Sequence, residues 1–247
     1  MMETHLRKGL AELGLGDDAA PSLLRFGELL LEKNKVMNLT AITDPEDVAS
    51  LHFLDSAALL TLADLKDKTV VDVGTGAGFP GMPLKILEPS IRMTLLDSLG
   101  KRITFLQEVC NELGLQNVQC VHARAEEFAA EHRETFDLAV SRAVAALPVL
   151  CELCLPYVKV GGAFLAMKSV DCGRELEEAA HCIKLLGGRG EEPFDYAIGS
   201  AHFLPVGDDP EAYPTVDDSP ETTRCFLAEH FDGDSDAAAE CYFGQLK

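Results

Sequence analysis

The sequence lacks the features that mark membrane and secreted proteins. No apolar run approaches the roughly 18 residues of a membrane-spanning helix. The N-terminal stretch has no apolar core followed by a small-residue cleavage site, as a signal peptide would have. Both absences favour a cytoplasmic globular chain, and 247 residues suffice for one substantial core.

The eight cysteines show no repeated spacing. The one C-x-x-C pair, Cys151 and Cys154, lacks the second pair or the matching histidines that a zinc site needs. We therefore predict no metal and interpret the cysteines as small core residues. A thioredoxin-like redox pair is the alternative for Cys151 and Cys154.

Positive charge is scarce, with 21 Lys and Arg against 41 Asp and Glu, a net charge of −20. Residues 191–247 carry 14 of the acids and only Arg224 and Lys247 as bases. A protein that binds a polyanion needs local positive charge. Binding to a nucleic acid would therefore require basic groups to cluster in spite of the negative total.

The chain does contain a regular alternation of strands and helices. Helical periodicity over 21–33 and 45–63 precedes an alternating region, which predicts an α/β fold with a parallel sheet covered on both faces. We divide the chain into a helical segment at 1–64, an α/β domain at 65–200 and a divergent acidic segment at 201–247, whose composition is typical of partial disorder. The predicted strands are 69–73, 93–97, 118–122, 136–141 and 162–168, and the predicted helices are 79–88, 101–113, 145–156 and one after 174.

A glycine-rich loop, VVDVGTGAGFPG at 70–81, joins the first predicted strand to the next helix. Gly74, Gly76 and Gly78 let the backbone turn sharply and approach a ligand that a Cβ would exclude. The loop lies at the sheet edge where open α/β folds bind ligands. Phe79 stands where the dinucleotide fingerprint G-x-G-x-x-G has its third glycine, which disfavours a nicotinamide dehydrogenase. A tight turn without a ligand is the alternative.

Acidic residues near this loop indicate a nucleoside ligand that lacks a diphosphate. Asp97 ends the second strand, where a carboxylate accepts hydrogen bonds from ribose hydroxyls. Asp72 precedes the glycines and is placed to accept from a cationic amino group. Ala125 leaves room for an adenine ring after the third strand, and Glu126 or its backbone can accept from the ring's amino group. These features favour S-adenosyl-L-methionine over NAD, although Asp97 can also cap a strand and Ala125 can begin a helix.

Two further groups concern the reaction itself. Arg142 follows Ser141 at the end of the fourth strand, nearest a transferable methyl group, and we interpret it as a residue that faces ligand or substrate. His52 and Asp55 share a helix face three residues apart. We expect them to form a structural hydrogen bond rather than an acid–base pair, and we expect no general base.

Several motifs together resemble one bacterial family. The segments are NKVMNLTAITDPEDVASLHFLDS, VVDVGTGAGFPG, TLLDSLGKRITFL, HARAEEF, SRAVAAL and FLAMKS, between about Leu23 and Tyr196. They resemble the 16S rRNA guanine-N7 methyltransferases, also called glucose-inhibited division protein B. The glycine loop alone is generic to methyltransferases, whereas the combination is specific to this family.

The resemblance implies a Rossmann-like class I methyltransferase fold. It also implies S-adenosyl-L-methionine bound at Gly74, Phe79, Ala125, Glu126 and Arg142. The implied substrate is N7 of a guanine in 16S rRNA, in the small ribosomal subunit or an assembly intermediate, and we expect a monomer. Candidate RNA contacts at the carboxyl ends of strands are Lys101, Arg102 and Lys168.

Two other functions fit the same fold. A small-molecule methyltransferase would have a closed, apolar acceptor pocket in place of an open basic rim. A cofactor-binding protein without RNA turnover would keep the cofactor site alone. The resemblance implies a basic end after Tyr213 and Pro214, and this chain is acidic there.

Overall fold

The computed structural model describes residues 2–142, 145–168, 172–186 and 197–199. The predicted acidic segment at 201–247 lies outside them. The chain divides into two compact units, Met1–Val144 with Glu152–Leu165 and Ala145–Cys151 with Ala166–Lys247. The helices are α1 (Met2–Glu12), α2 (Ala20–Asn34), α3 (Pro45–Asp47), a π-helix (Val48–Leu54), α4 (Asp55–Leu62), α5 (Gly81–Leu87), α6 (Gly100–Glu112), α7 (Ala125–Glu131), α8 (Leu147–Cys154) and α9 (Cys172–Leu185).

A parallel sheet forms the centre of the first unit. Its strands are ordered β3-β2-β1-β4-β5, with β1 at Thr69–Val73, β2 at Arg92–Asp97, β3 at Val118–His122, β4 at Phe136–Arg142 and β5 at Val158–Lys168. β1 pairs in parallel with β2 and with β4. Its residues after Thr69 are all buried, as expected of a central strand covered on both faces. The strand order and the parallel pairing confirm the predicted Rossmann-like fold.

An N-terminal group of helices precedes the sheet in the first unit. α1 buries Leu6 and Leu10, one turn apart on one face. α3, the π-helix and α4 follow one another without a break over 45–62. Asp44 caps this run, because its side chain accepts hydrogen bonds from the amides of Glu46 and Asp47.

The second unit contains the end of β5, the start of α8 and α9. Residues Ala197–Gly199 pair in parallel with Ala166–Lys168. Lys168 donates to the carbonyl of Ala145 at 2.6 Å and forms a 2.8 Å ion pair with Glu175. Glu175 also accepts from the amide of Leu147, so one carboxylate joins α9 to the first turn of α8.

The five predicted strands and the six predicted helices all occur in the described residues, in the predicted order, and the structure contains further elements. β5 begins at Val158 rather than at 162. α1 and α7 were not predicted as helices, and the helix over 45–63 contains an unpredicted π segment. The predicted division at 64/65 stays a prediction.

Candidate active site

The glycine loop is fixed to the carboxyl ends of β1 and β2 by backbone hydrogen bonds. The amides of Gly74 and Thr75 both donate to the carbonyl of Leu96, at 2.9 and 3.0 Å. The amide of Gly76 donates to the Asp97 carboxylate at 2.9 Å. The loop is therefore held beside the last residue of β2, as the sequence predicts for a ligand-binding edge.

The glycines of this loop have different surroundings. Gly74, Gly76 and Gly78 all have positive φ, at 71°, 61° and 104°. A Cβ on Gly76 would meet only the Gly74 carbonyl oxygen, 3.9 Å away, among the described atoms. A Cβ on Gly78 would lie 2.6 Å from Met82 Cγ. Gly76 therefore faces open space suited to a ligand, whereas packing alone requires a glycine at position 78.

The Asp72 carboxylate joins the two ends of the glycine loop through hydrogen bonds. Its Oδ2 accepts from the Thr75 hydroxyl at 2.7 Å and from the amide of Gly81 at 2.8 Å. Its Oδ1 is buried and is the one such side-chain atom among the described residues without a hydrogen-bond partner. Burial raises the pKa of Asp72 from its ordinary 3.8 to about 6. An arriving cationic group would satisfy this oxygen and favour the carboxylate form.

The Asp97 carboxylate is buried and accepts three hydrogen bonds. Its side chain is 4 % exposed and accepts from Gly76, from the amide of Leu99 at 2.8 Å and from Arg102 at 3.2 Å. Arg102 thus touches the residue that the sequence assigns to ribose binding. A ribose hydroxyl at Asp97 would share the carboxylate with Arg102, so the structure places an RNA candidate and a cofactor candidate in direct contact.

Ala125 and Glu126 form the start of α7. The carbonyl of Ala125 accepts from the Tyr157 hydroxyl. The Glu126 carboxylate is exposed and pairs with Arg124 at 3.2 Å. A hydrogen bond from the residue's own backbone amide and the pairing with Arg124 lower the pKa of Glu126. The assignment of both residues to the adenine ring stays a prediction.

Arg142 extends from the end of β4 to the π-helix. Its Nη1 donates to the carbonyl of Leu51 at 2.9 Å and lies 3.3 Å from the Asp55 carboxylate. Its Nη2 lies 2.9 Å from His52 Nδ1. The side chain is 16 % exposed. The guanidinium thus joins the helical segment to the sheet, a role that the sequence did not indicate.

The expected bond between His52 and Asp55 is replaced by a shared partner, because both side chains contact Arg142. The change follows from the π-helix, whose wider turn departs from the spacing on which the prediction relied. His52 is 7 % exposed, and its other nitrogen, Nε2, lies 2.8 Å from the Thr40 hydroxyl. Burial and the charge of Arg142 lower the pKa of His52 to about 4.

The Phe79 ring is part of an aromatic cluster and is 4 % exposed. It stacks on His52 with ring centroids 4.3 Å apart, and the Arg142 guanidinium carbon lies 4.9 Å from its centroid. Phe26 and Phe53 pack against the same ring. The side chain of Phe79 therefore fixes the end of the glycine loop to the helical segment, and a cofactor contact at this position would fall to its backbone.

The three candidate RNA contacts differ in exposure. Lys101 is exposed in the first turn of α6. Arg102 is 33 % exposed beside Asp97. Lys168 is 9 % exposed and paired with Glu175, so its ammonium is not presented as a phosphate contact requires. Of the three, Lys101 is the best placed for RNA.

A cavity of about 540 Å³ lies elsewhere, between α2 and α6. Leu29, Val36, Phe105 and Val109 line it together with charged residues of both helices. It contains none of the residues that the sequence assigns to the cofactor. We therefore place the active site at the glycine loop.

A parallel sheet of this order, with a glycine loop after β1 and an acid ending β2, is a Rossmann-like fold, which class I methyltransferases share with dinucleotide-binding proteins. Residues 19–192 match the family described as rRNA small subunit methyltransferase G (GidB). The chain belongs to this family, and it is an enzyme of the methyltransferase class.

Relatives of that name are similar over most of their length. The protein from Alkaliphilus metalliredigens is 51 % identical over 74 % of this chain and 79 % of its own. The protein from Lachnoclostridium phytofermentans is 47 % identical over 79 % and 85 %. Among solved structures, a SAM dependent methyltransferase from Aquifex aeolicus matches with a TM-score of 0.44 and 21 % identity, over 64 % of this chain and 90 % of that one.

Two other features are absent from the part of the chain that the structure describes. No helix in this part of the chain is long and apolar enough to cross a membrane. No group of three or more His, Cys, Asp or Glu within the same residues is arranged to hold a metal ion.

The different surroundings of Gly76 and Gly78 give the first prediction. We expect Gly76→Ala to cost about 1 kcal/mol in folding, from the left-handed backbone alone, and to weaken S-adenosyl-L-methionine binding about tenfold or more by occupying ligand space. We expect Gly78→Ala to cost about 2 kcal/mol or more, from overpacking against Met82 together with backbone strain. Denaturant unfolding and calorimetric titration measure the two effects. Unchanged cofactor affinity in Gly76→Ala would contradict the placement of the site.

Proposed function

We propose that this enzyme transfers a methyl group from S-adenosyl-L-methionine to N7 of a guanine in small-subunit ribosomal RNA. The observation that carries the proposal is the family match over residues 19–192, because this range includes every residue of the proposed cofactor site. The relatives of 47–51 % identity carry the name of small-subunit rRNA methyltransferases.

The residues at the carboxyl ends of β1 and β2 fit the proposed cofactor. Asp72 Oδ1 is a buried acceptor without a partner, suited to a cationic amino group. The open space at Gly76 suits a ligand backbone, and Asp97 beside it suits ribose hydroxyls. A dinucleotide fits less well, because the bulky Phe79 replaces the third glycine of its fingerprint.

The proposed reaction requires positioning rather than proton transfer. When bound, S-adenosyl-L-methionine would supply its sulfonium methyl group to the free lone pair of guanine N7, with the carbon–sulfur bond breaking and the neutral thioether S-adenosyl-L-homocysteine leaving. No proton leaves the guanine in this step, so the site needs no general base. Asp72 and Asp97 orient the cofactor through its amino group and its ribose. The glycine loop is fixed before the cofactor binds, so its backbone is already in position to contact the ligand. The burial of His52 behind Phe79 agrees with a role outside proton transfer.

The proposed substrate is 16S rRNA within the small subunit or an assembly intermediate, and the proposed enzyme acts as a monomer. Lys101 is exposed beside the cofactor site and supplies a cation for a phosphate. Arg102 neutralises Asp97 and keeps the rim of the site from repelling RNA. A local basic rim of this kind is compatible with the acidic total.

A bacterial strain that lacks the corresponding gene tests this proposal in cells. We expect its small-subunit rRNA to lose one 7-methylguanosine, detected because borohydride reduction followed by aniline cleaves the chain at that base. Expression of this protein should restore the cleavage, and Gly76→Ala should restore less of it at equal protein level. No restoration by the wild-type protein would count against the proposal and favour the small-molecule or cofactor-binder alternatives, whereas full restoration by Gly76→Ala would contradict the placement of the cofactor site.

A further inference from the structure

A buried chain of hydrogen bonds connects Arg142 to the segment between α2 and α3, residues 35–44, here called the connecting segment. His52 is the middle of this chain, with Arg142 on its Nδ1 side at 2.9 Å and Thr40 on its Nε2 side at 2.8 Å. The Thr40 hydroxyl in turn accepts from the amide of Ile42 at 3.0 Å. These contacts link the end of β4 to a loop that has no regular secondary structure of its own.

The contacts determine which nitrogen of His52 carries the proton. A guanidinium can only donate, so Nδ1 must be an unprotonated acceptor for Arg142. The Leu51 carbonyl also lies 3.2 Å from Nδ1, but this contact is longer than the 2.9 Å contact with Arg142. The proton therefore lies on Nε2, which donates to Thr40. This tautomer is neutral and polar at both ends.

The connecting segment is otherwise held mainly from one side. Asn34 Oδ1 accepts from the amides of Leu39 and Thr40, and its amide group donates to the Thr40 carbonyl. These bonds fix the segment to α2. The backbone amide of Val48, the first residue of the π-helix, donates to the Asp44 carbonyl at 2.9 Å and holds the end of the segment. The bond from His52 is the described side-chain bond that joins the middle of the segment to the π-helix and, through Phe79, to the glycine loop.

The strand order indicates which ligand this chain of bonds adjoins. β1 has β2 on one side and β4 on the other. The proposed cofactor residue Asp97 ends β2, whereas Arg142 ends β4. The bonds from Arg142 to Thr40 thus begin on the side of β1 opposite the proposed ribose position, the side left for a methyl acceptor if the cofactor lies over β1 and β2.

We propose that His52 is a positioning residue, which holds the connecting segment in place for the methyl acceptor by linking Thr40 to Arg142 as the neutral Nε2–H tautomer. Its role toward the acceptor rests on the proposed function, whereas its tautomer and its hold on the segment do not. The proposal assigns specificity to a residue that touches neither ligand.

Four substitutions separate the two ends of His52. His52→Asn keeps an acceptor near Arg142 and loses the donor to Thr40, whereas His52→Gln keeps a donor near Thr40. Thr40→Val removes the hydroxyl and Thr40→Ser restores it. His5→Asn is the matched control, because His5 makes a similar 2.7 Å bond to the Ser50 hydroxyl from α1.

Hydrogen exchange and NMR on the full chain test the hold on the segment without any substrate. We expect the nitrogen shifts of His52 at neutral pH to show the Nε2–H tautomer. We expect His52→Asn to lower the protection of the Ile42 amide about tenfold, with His52→Gln closer to wild type and His5→Asn unchanged. An Nδ1–H tautomer, or unchanged protection in His52→Asn, would overturn the proposal.

Methyl-transfer kinetics on small subunits test the role toward the acceptor. We expect His52→Asn and Thr40→Val each to lower kcat/KM for the particle about tenfold, with the double variant no worse than either and S-adenosyl-L-methionine affinity within about twofold. Thr40→Ser should recover most of the loss. An equal loss of cofactor affinity, or full additivity, would overturn the positioning role. Absence of transfer by the wild-type protein would refute the proposed function and leave the exchange result to decide the hold on the segment.

Discussion

Arg142→Ala is expected to unfold more readily than the wild type and to lose most methyl transfer. The substitution removes one cation that serves the Leu51 carbonyl, the Asp55 carboxylate and His52 Nδ1 together. These groups are mostly buried, with Asp55 20 % and Arg142 16 % exposed, so we expect a loss of about 2–4 kcal/mol of unfolding free energy. The cation over the Phe79 ring is lost as well.

Denaturant unfolding beside S-adenosyl-L-methionine titration measures this effect. Arg25→Ala is the matched control, because Arg25 also bridges two elements but pairs with Glu28 and Glu112 at the exposed surface. The control should unfold at nearly the wild-type midpoint. Wild-type stability in Arg142→Ala would contradict this account, because the loss of these contacts would then cost nothing.

Two buried groups give stability opposite dependences on pH. The pKa of His52 is lowered from 6.5 to about 4, so its contribution is complete above pH 6.5 and is lost as the pH falls toward 4. The pKa of Asp72 is raised from 3.8 to about 6, so folding keeps a proton that the unfolded chain has released, and stability falls as the pH rises from 3.8 to 6. Each effect amounts to about 3 kcal/mol.

In the wild-type protein the two effects largely cancel between pH 4 and 6, since their signs differ and their sizes are similar. Asp72→Asn should remove the falling contribution, and its unfolding free energy should rise with pH relative to wild type. His52→Asn should remove the rising contribution and show the reverse. Other carboxyl groups titrate in every variant, so the difference from wild type isolates the two residues.

Unfolding free energies of the cofactor-free wild type, Asp72→Asn and His52→Asn proteins, measured at several pH values between about 4 and 6, test both predictions. The expected differences change by about 3 kcal/mol in opposite directions. Parallel curves for His52→Asn and wild type would mean that His52 titrates normally, in conflict with its contact with Arg142. Parallel curves for Asp72→Asn would mean that the buried carboxyl is solvated.

Local sequence patterns were sufficient to predict the sheet. β1 was predicted at its observed limits, because a buried apolar run ends in a glycine cluster and both signals are local. β5 was predicted to begin at Gly162, whereas the strand begins at Val158. It continues through Gly161 and Gly162, and a Cβ on Gly162 would collide with the carbonyl of Asp137 on β4. A close approach between strands is a tertiary cause without a local pattern.

The candidate site was predictable where residues act alone. Asp72, Gly76 and Asp97 follow from their positions at strand ends, and the structure brings them together. The partners of Arg142 did not follow, because Leu51 and His52 lie about 90 residues away and reach it only through a π-helix. The bond between Thr40 and His52 depends on that same fold of the chain.

The different reasons for glycine at positions 76 and 78 could not be predicted from the sequence either. Both are glycines with positive φ in one loop, and the sequence treats them alike. Only the surroundings distinguish them, because Met82 and Leu106 fill the space beside Gly78 and leave the space beside Gly76 open. The sequence shows that both positions are glycine, but it does not show whether space for a ligand or packing requires the glycine.

Transfer of labelled methyl from S-adenosyl-L-methionine to purified small ribosomal subunits tests the central claim most directly. The substrate is taken from a strain that lacks this gene, with subunits from the parent strain as control. The account predicts label at N7 of one guanine in the deficient particles, none in the parental particles, and about tenfold less label with Gly76→Ala at subsaturating S-adenosyl-L-methionine. Absence of label in the deficient particles, when the protein used still binds S-adenosyl-L-methionine, would contradict it.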